Sequence, residues 1–515
     1  MQILINIART AVAINSCISA ENEYNVCMKN RIALVLMFVL AGCGSSSRVP
    51  KAPSSIYSRL PSYSPFSSVK RQIDSLLPDT LFPPGGVSVR VVSLSSGEIL
   101  YDLDADLSRN PASNLKLLTT ALALQELGAT YSFSTIAFAD TSGRSRILLR
   151  ASGDPLLSSP DLDTLARRIA ERIPKGRMWT VAADISLFDD QERGKGWMWD
   201  DEPDPTAMFI SPLSLDGNCI RVLVKPGRIR GESVIVSTEP ATSFVTVENS
   251  AVTNPDLAHR AIHISRNWRE RSNRIIVSGE MSPYDSLVTE TLSVAEPTWY
   301  AMTVLTEDLR KLGISCGPMA VDTIPHNAFE LARIEHTLDT VITYMNQTSD
   351  NLAAENLLKV IAGTKAGISG SAAEGIQLLR KYLAMNGIDT AKTVIADGSG
   401  VSRYNLVSAA LLVRLLATVH ARPDLFPLWY KSLPLAGVSG TLSRRMRGTP
   451  AEGNVHAKTG TLEGVSSISG YVTTADGELL AFSILMEHFP NSSRLYRQSQ
   501  DRICEYLATL RRSSN

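Results

Sequence analysis

Residues 111–128 read PASNLKLLTTALALQELG, and this stretch decides the fold. Leu117, Leu118, Ala121, Leu122, Leu124 and Leu127 make it apolar nearly all round, and Gly128 is a stop signal. A helix apolar on every side has to be buried. Ser113 and Lys116 stand three apart on it, hence on one face. A serine hydroxyl is a poor nucleophile unless a neighbour takes its proton. A lysine amine takes a proton only where burial or another cation lowers its pKa. The buried helix meets that need, and its N-terminal end favours developing negative charge. The competing reading is a capping serine beside an exposed lysine.

Two further motifs lie downstream. Ser349-Asp350-Asn351 opens the helical run Leu352-Ala353-Ala354-Glu355. Ser, Asp and Asn are favoured helix caps, so a purely structural role is the first reading; functionally, Ser349 could relay a proton and Asn351 could bind a substrate carbonyl. Lys458-Thr459-Gly460 follows Asn454-Val455-His456-Ala457 and precedes Thr461-Leu462. On a strand edge, Gly460 lets another backbone or a substrate come close, and Lys458 and Thr459 can hold a carboxylate. His456, two residues before Lys458, falls on the same face of that strand. The gap from Ser113 to Ser349 is 236 residues and from Ser349 to Lys458 is 109.

The surrounding chain supplies the frame. Alternating Val87, Val89 and Val91, then Ser96-Gly97, then Ile99 and Tyr101, predict a β-hairpin. From about 132 to 297 short β-like runs (147–149, 233–237, 274–278) alternate with polar turns, with one helix over 162–173. Helices return over 301–312, 350–362, 372–386 and 406–420, then strands over 467–473 and 479–487, then an amphipathic helix over 493–511. Strands at both ends with helices between describe one α/β domain interrupted by a β-rich insertion of one or two nested pieces.

Composition narrows the function. The chain has 515 residues, 51 Lys+Arg against 51 Asp+Glu, and 44% hydrophobic residues. At about 150 residues per domain this is roughly three domains. Balanced charge argues against a nucleic-acid partner, and the composition against wholesale disorder or a polytopic membrane protein. Six cysteines without a C-x-x-C pair make neither a disulfide scaffold nor a zinc ribbon. His259 and His263 are four apart, but Arg260 stands where the helical zinc motif carries Glu, so no metal is expected. Trp197 and Trp199 read as packing anchors.

Taken in order, S-x-x-K, S-D-N and K-T-G are the signature of penicillin-binding proteins and class A β-lactamases. Alongside them stand Gly153-Asp154-Pro155, Ser349 to Glu355, Asp397-Gly398-Ser399-Gly400-Val401-Ser402-Arg403-Tyr404-Asn405 and Lys458-Thr459-Gly460-Thr461-Leu462-Glu463-Gly464-Val465-Ser466. On these residues the chain resembles the class C low-molecular-mass penicillin-binding proteins, which are D-alanyl-D-alanine carboxypeptidases/endopeptidases. The resemblance implies an α/β (α+β) serine β-lactamase/transpeptidase-like domain, divided as 69–131 and 298–515 around an insertion at 132–297. It implies Ser113 as the acylated nucleophile, Lys116 as its base, and Ser349 and Asn351 on the opposite wall. Lys458 and Thr459 would bind the terminal D-Ala carboxylate, with Gly460 leaving room. The backbone N–H groups of Ser113 and Thr461 would form an oxyanion hole, worth about 3 kcal/mol per donor. Arg403 and Asp201 resemble the family's pocket for the diaminopimelate side chain, whose carboxylate and ammonium suit that pair. Glu463 departs from the small polar residue expected there. The implied partners are peptidoglycan stem peptides and, as inhibitors, β-lactams; no cofactor is implied.

Two other readings compete. A class A β-lactamase needs a Glu-x-x-x-Asn base after S-D-N, but Glu374, the only Glu between Gly370 and Ala396, is followed by Gly375-Ile376-Gln377-Leu378. A catalytically inert wall-binding lipoprotein would not need all three motifs intact.

The N-terminal region reads as an address. Met28-Lys29-Asn30-Arg31 is a basic start, 32–40 is an apolar run too short to span a bilayer, and Leu40-Ala41-Gly42-Cys43 follows. This resembles the lipobox of bacterial lipoproteins, with Cys43 as the lipidated residue. Residues 1–42 are then an upstream mis-start plus signal peptide, and the Ser/Pro-rich 43–68 a tether. The expected location is the periplasmic side, anchored to a membrane by lipid. Cys219, Cys316 and Cys504 remain, allowing at most one disulfide.

Overall fold

A computed structural model describes residues 67–77, 86–140, 145–256, 261–367, 369–490 and 492–511. The expected signal segment with Cys43, His259 and the tether lie outside these residues, except Ser67 and Ser68, which open helix α1 (Ser67–Ser75).

The hairpin forms as anticipated. Strands β1 (Val87–Ser93) and β2 (Ile99–Leu103) pair antiparallel, with a bulge between Val91 and Val92. Gly97 turns the chain at φ 75°, a conformation open to glycine. A 3-10 turn (Ala112–Leu115) runs into helix α2 (Lys116–Glu126), in which Lys116 to Leu124 are all buried.

The chain then leaves this domain. Strands β3 (Ser132–Asp140) and β4 (Arg146–Arg150), helix α3 (Ser159–Ala170) and strand β5 (Met178–Asp184) begin a second sheet. Ser158 and Asp161 close a capping box at the start of α3, two orphan N–H groups satisfied reciprocally. A three-stranded sheet (Val288–Ser293, Cys219–Lys225, Ile235–Glu239) and a four-stranded one around Arg274–Met281 follow. Helix α4 (Pro297–Lys311) and strands β6 (Ser315–Val321) and β7 (Phe329–Thr337) complete the second sheet in the order β6-β5-β4-β3-β7.

This moves a boundary. The texture of the sequence ends the insertion at 297, but α4, β6 and β7 come after that point. Tyr300, Met302, Leu305 and Leu309 of α4 sit in the hydrophobic core of the insertion, and β7 pairs with β3. The inserted region therefore runs to Thr337. An amphipathic helix covering the insertion's sheet has the same sequence texture as one covering the first domain's, so the sequence does not mark the break.

Helices α5 (Leu338–Thr348), α6 (Asn351–Ala366), α7 (Ala372–Met385) and α8 (Ala409–His420) return to the first domain. Strands β8 (His456–Leu462), β9 (Val465–Thr473) and β10 (Leu479–Glu487) follow, then helix α9 (Arg494–Thr509). The first sheet has the order β8-β9-β10-β1-β2, antiparallel throughout, so both chain ends build it. All seven residues of β1 are buried, which requires cover on both faces. Tyr496, Ile503, Cys504 and Leu507 of α9 pack with Val89, Ile468, Phe482 and Ile484 of the sheet, while the Tyr471 hydroxyl of β9 donates to the Leu416 carbonyl of α8 at 2.9 Å. Cys219, Cys316 and Cys504 are buried free thiols, so the single permitted disulfide is not made.

Candidate active site

Ser113 lies in the 3-10 turn just ahead of α2, and the turn is held from below by small residues of β9. The Ser467 hydroxyl donates to the Pro111 carbonyl at 2.6 Å, and the Asn114 amide bridges the Ser469 hydroxyl and the Lys458 carbonyl at 2.8 and 2.7 Å. A Cβ at Gly460 would sit 2.8 Å from both Pro111 O and Ser113 N, so only glycine lets β8 lie this close to the turn of Ser113. Ala112 is in the left-handed region at φ 46°, a conformation that costs about 1–3 kcal/mol in a non-glycine residue and persists only where the surroundings enforce it.

Ser349-Asp350-Asn351 divides its labour by residue. Ser349 ends α5 in the left-handed conformation at φ 64°, and Asp350 caps α6 by accepting from the Ala353 N–H at 2.7 Å. The cap is therefore the middle residue alone. The two side chains flanking it turn to the site.

The Lys116 ammonium is fully buried and donates to Ser113 Oγ at 3.2 Å, Asn351 Oδ1 at 2.6 Å and the Ser399 carbonyl at 2.7 Å. Burial brings its pKa down to about 8, against the opposing pull of Asp397, Asp350 and Glu355. The Asn351 amide in turn donates to the Thr206 carbonyl at 2.7 Å, so the inserted region orients the residue that orients Lys116.

Ser399 belongs to a loop wound around one buried carboxylate. Asp397 accepts from the N–H groups of Gly400 at 2.9 Å and Ser402 at 2.7 Å, from Asn405 Nδ2 at 2.7 Å, from Ser399 Oγ at 3.2 Å and from Trp197 Nε1 at 3.0 Å. Gly400, at φ 87°, lies directly against the Ala112 carbonyl and leaves no room for a Cβ. The loop thus supports both the strained turn that carries Ser113 and the ammonium of Lys116.

A second group of contacts centres on β8. Lys458 Nζ donates to Ser349 Oγ at 2.9 Å and to the Thr459 carbonyl at 2.8 Å, and it too is fully buried. Burial, then the positive charge of Lys116, pushes its pKa well down. Thr459 shares a hydroxyl–hydroxyl bond of 2.7 Å with Thr441. The structure therefore joins Ser113, Lys116 and Asn351 into one hydrogen-bonded group and Ser349, Lys458 and Thr459 into another, with Gly460 bridging to Ser113 by close packing.

Beside the exposed Thr461, a cavity of about 670 Å³ is lined by Arg403, Leu462, Glu463, Gly464 and Phe489, among others. Arg403 Nη1 donates to the Glu463 carbonyl at 3.0 Å. Asp201 instead accepts from the Met198 N–H at 2.9 Å, closing its own turn, and among the described residues no hydrogen bond joins it to Arg403.

Residues 69–510 match the D-Ala-D-Ala carboxypeptidase 3 (S13) family. A D-alanyl-D-alanine carboxypeptidase of an Actinomadura species is 35% identical over 442 residues, covering 81% of each chain. The chain belongs to the S13 family. D-alanyl-D-alanine carboxypeptidase DacB of Haemophilus influenzae is 27% identical over 416 residues, covering 78% of this chain and 85% of that one. The crystal structure of penicillin binding protein 4 from the same organism superposes with a TM-score of 0.73 at 23% identity, covering 85% of this chain and 99% of that one. The S13 fold, an α+β penicillin-binding domain with a large β-rich insertion, is thus the fold of this chain, and the chain is a serine-type D-Ala-D-Ala carboxypeptidase.

Several residues of this S13 site escape motif reading. Glu355 and Asp397 are visible as acidic residues in apolar surroundings, and their burial is the missing information. Thr206 acts through its carbonyl, for which no side-chain signal exists. Trp197 is a packing anchor against Met208, Cys219 and Leu352, as its sequence suggests, and it also donates to Asp397. Trp199 is a correction: it is 71% exposed, resting against Trp268 at a ring-centroid distance of 5.4 Å. His456 stacks on Tyr430 at 3.9 Å, an aromatic contact on the strand's approach to the site.

Proposed function

We propose that the enzyme works through an acyl-enzyme on Ser113 and that it acts on D-Ala-D-Ala termini of peptidoglycan stem peptides and on D-Ala–diaminopimelate cross-links. The 3.2 Å bond from Lys116 Nζ to Ser113 Oγ carries this reading, because it places a depressed-pKa amine on the nucleophile. As the free base, Lys116 takes the hydroxyl proton while Ser113 Oγ attacks the carbonyl of the penultimate D-Ala. The developing oxyanion is met by the N–H groups of Ser113 and Thr461. The terminal carboxylate lies against Lys458 and Thr459. Collapse expels the D-Ala amine, which takes a proton from the Lys116 and Ser349 side of the site, and water then hydrolyses the ester.

The same attack on a β-lactam ring gives an ester whose amine remains tethered, so β-lactams inhibit by occupying Ser113. Arg403 and Asp201 are assigned to the diaminopimelate side chain, Arg403 from the cavity wall beside Thr461. Export through a signal cut before Cys43, with lipid on that residue and the enzyme on the periplasmic side, completes the reading. Its basis is the motif Leu40-Ala41-Gly42-Cys43.

Digestion of purified muropeptides tests the chemistry. The enzyme is expected to release D-Ala from uncross-linked pentapeptide and to split cross-linked dimers, and Ser113→Ala to do neither. Pentapeptide cleavage by Ser113→Ala at the wild-type rate overturns the reading. Metabolic lipid labelling that Cys43→Ala abolishes tests the anchor.

A further inference from the structure

The reaction as described uses Lys116 but leaves a buried acid behind it unused. Glu355 lies one helical turn beyond Asn351 on α6, on the same face. It is fully buried. Its Oε1 accepts from the N–H groups of Gly398 at 3.0 Å and Ser399 at 2.8 Å. The carbonyl of that same Ser399 accepts from Lys116 Nζ at 2.7 Å. Glu355 and Lys116 therefore meet at one residue, Ser399, through its N–H and its carbonyl.

Its second oxygen is the telling atom. Glu355 Oε2 is buried and has no hydrogen-bond partner in the protein. The neighbouring carboxylates differ: Asp397 is surrounded by five donors and Asp350 is engaged as a helix cap. The charged groups facing Lys116 are Asp350 and Glu355 from α6, Asp397 from the 397–405 loop and Lys458 from β8. Of these three acids, Glu355 is the one with an oxygen both buried and without a hydrogen-bond partner in the protein, where a carboxylic acid can carry its proton.

We propose that Glu355 is a positioning residue for the acylation step, exchanging its charge with that of the Lys116 amine through their shared contact at Ser399. The inference rests on the proposed role of Lys116 as base. Burial, then the charge of Asp397, raises the Glu355 pKa to about 8, the same range to which burial brings Lys116. Two opposite groups titrating together share protons as a pair. When Glu355 is ionised, its charge favours the ammonium; when it is protonated, the amine is released as a free base for Ser113.

The sign of the test follows. Glu355→Gln keeps an oxygen for the Gly398 and Ser399 N–H groups but removes the charge, so Lys116 loses its proton at lower pH. The second-order rate constant for acylation by a chromogenic cephalosporin, followed against pH, is expected to keep its shape while its acid limb moves about one pH unit toward acid. Glu355→Asp keeps the charge and is expected to leave the limb near its wild-type position. A Glu355→Gln limb that coincides with the wild type, whatever happens to Tm, overturns the proposal and assigns Glu355 a structural role alone. Should Glu355→Gln not fold, infrared spectroscopy of the wild-type enzyme decides. A protonated-carboxyl band that shifts with carbon-13 glutamate and fades over the pH range of the acid limb supports the proposal, and its absence above the ordinary glutamate range overturns it. Failure of the underlying reading is distinct: the wild-type enzyme then forms no adduct on Ser113 at any pH.

Discussion

A lysine ammonium sealed from water is an expensive object, and Lys116 is kept only because three acceptors meet its three protons. The same burial makes it useful, since an amine with a pKa near 8 is partly unprotonated at neutral pH. With the free base as the proposed active form, acylation by penicillin is expected to speed up as pH rises toward about 8 and then level off, read from stopped-flow rates. Lys116→Ala removes the base and is expected to slow acylation by about 10²–10⁴-fold while Ser113 remains in place. A flat pH profile in the wild-type enzyme contradicts this role. At the same scale, Gly400→Ala forces a Cβ into the Ala112 carbonyl and strains a left-handed residue. Its expected cost is about 1–3 kcal/mol in denaturant unfolding, together with slower acylation, because the strained turn presenting Ser113 loses its support.

Among the elements, α6 has the most to do. Asp350 starts it, Asn351 and Glu355 face Lys116 and its loop, and Asn356 and Lys359 face the insertion. Asn356 Nδ2 donates to the Gly153 carbonyl at 3.1 Å, and Lys359 Nζ reaches Asp189 and the Gln191 carbonyl, each at 2.5 Å. Loss of the cap in Asp350→Ala is expected to lower stability by about 1 kcal/mol, measured by thermal unfolding, and to slow acylation by loosening Asn351. Unchanged acylation beside a lowered Tm would show that its bonds to Thr206 and Lys116 hold Asn351 without the cap. This helix also shows what was legible in the sequence. Its capping residue, Asp350, stands between Ser349 and Asn351, which bond Lys458 and Lys116, so the helix-cap reading of the tripeptide holds for its middle residue alone. The β1–β2 hairpin and α2 were readable because their periodicity is strong and local. The end of the insertion at Thr337 was not, because strand pairing between β7 and β3 joins residues far apart in the chain and leaves no local mark. The tie from Thr206 to Asn351 was invisible for the same reason.

Over the whole molecule, the insertion is fastened to the catalytic domain by polar contacts that the motifs alone do not reveal. Thr206 meets Asn351, Trp197 meets Asp397, and Gly153 meets Asn356. A further contact marks the point where the chain returns: His336, on the last strand of the insertion, bonds Asp154 through Nδ1 at 2.7 Å. The Asp154 hydrogen bond raises the His336 pKa above its usual 6.5, against the opposing effect of burial. A raised folded-state pKa adds stability that is complete below the ordinary imidazole value and is lost as pH rises through the raised one. Tm is therefore expected to decline as pH rises above about 6.5 by an increment that His336→Gln removes. Identical pH dependence of Tm in the two proteins would show that the pair does not contribute.

The nucleophile is the claim on which the others depend. Incubation with benzylpenicillin followed by peptide mapping in a mass spectrometer measures it directly. One penicilloyl adduct is predicted, on the peptide containing Ser113 and absent from Ser113→Ala. An adduct on any other residue, or one that persists in Ser113→Ala, contradicts the account.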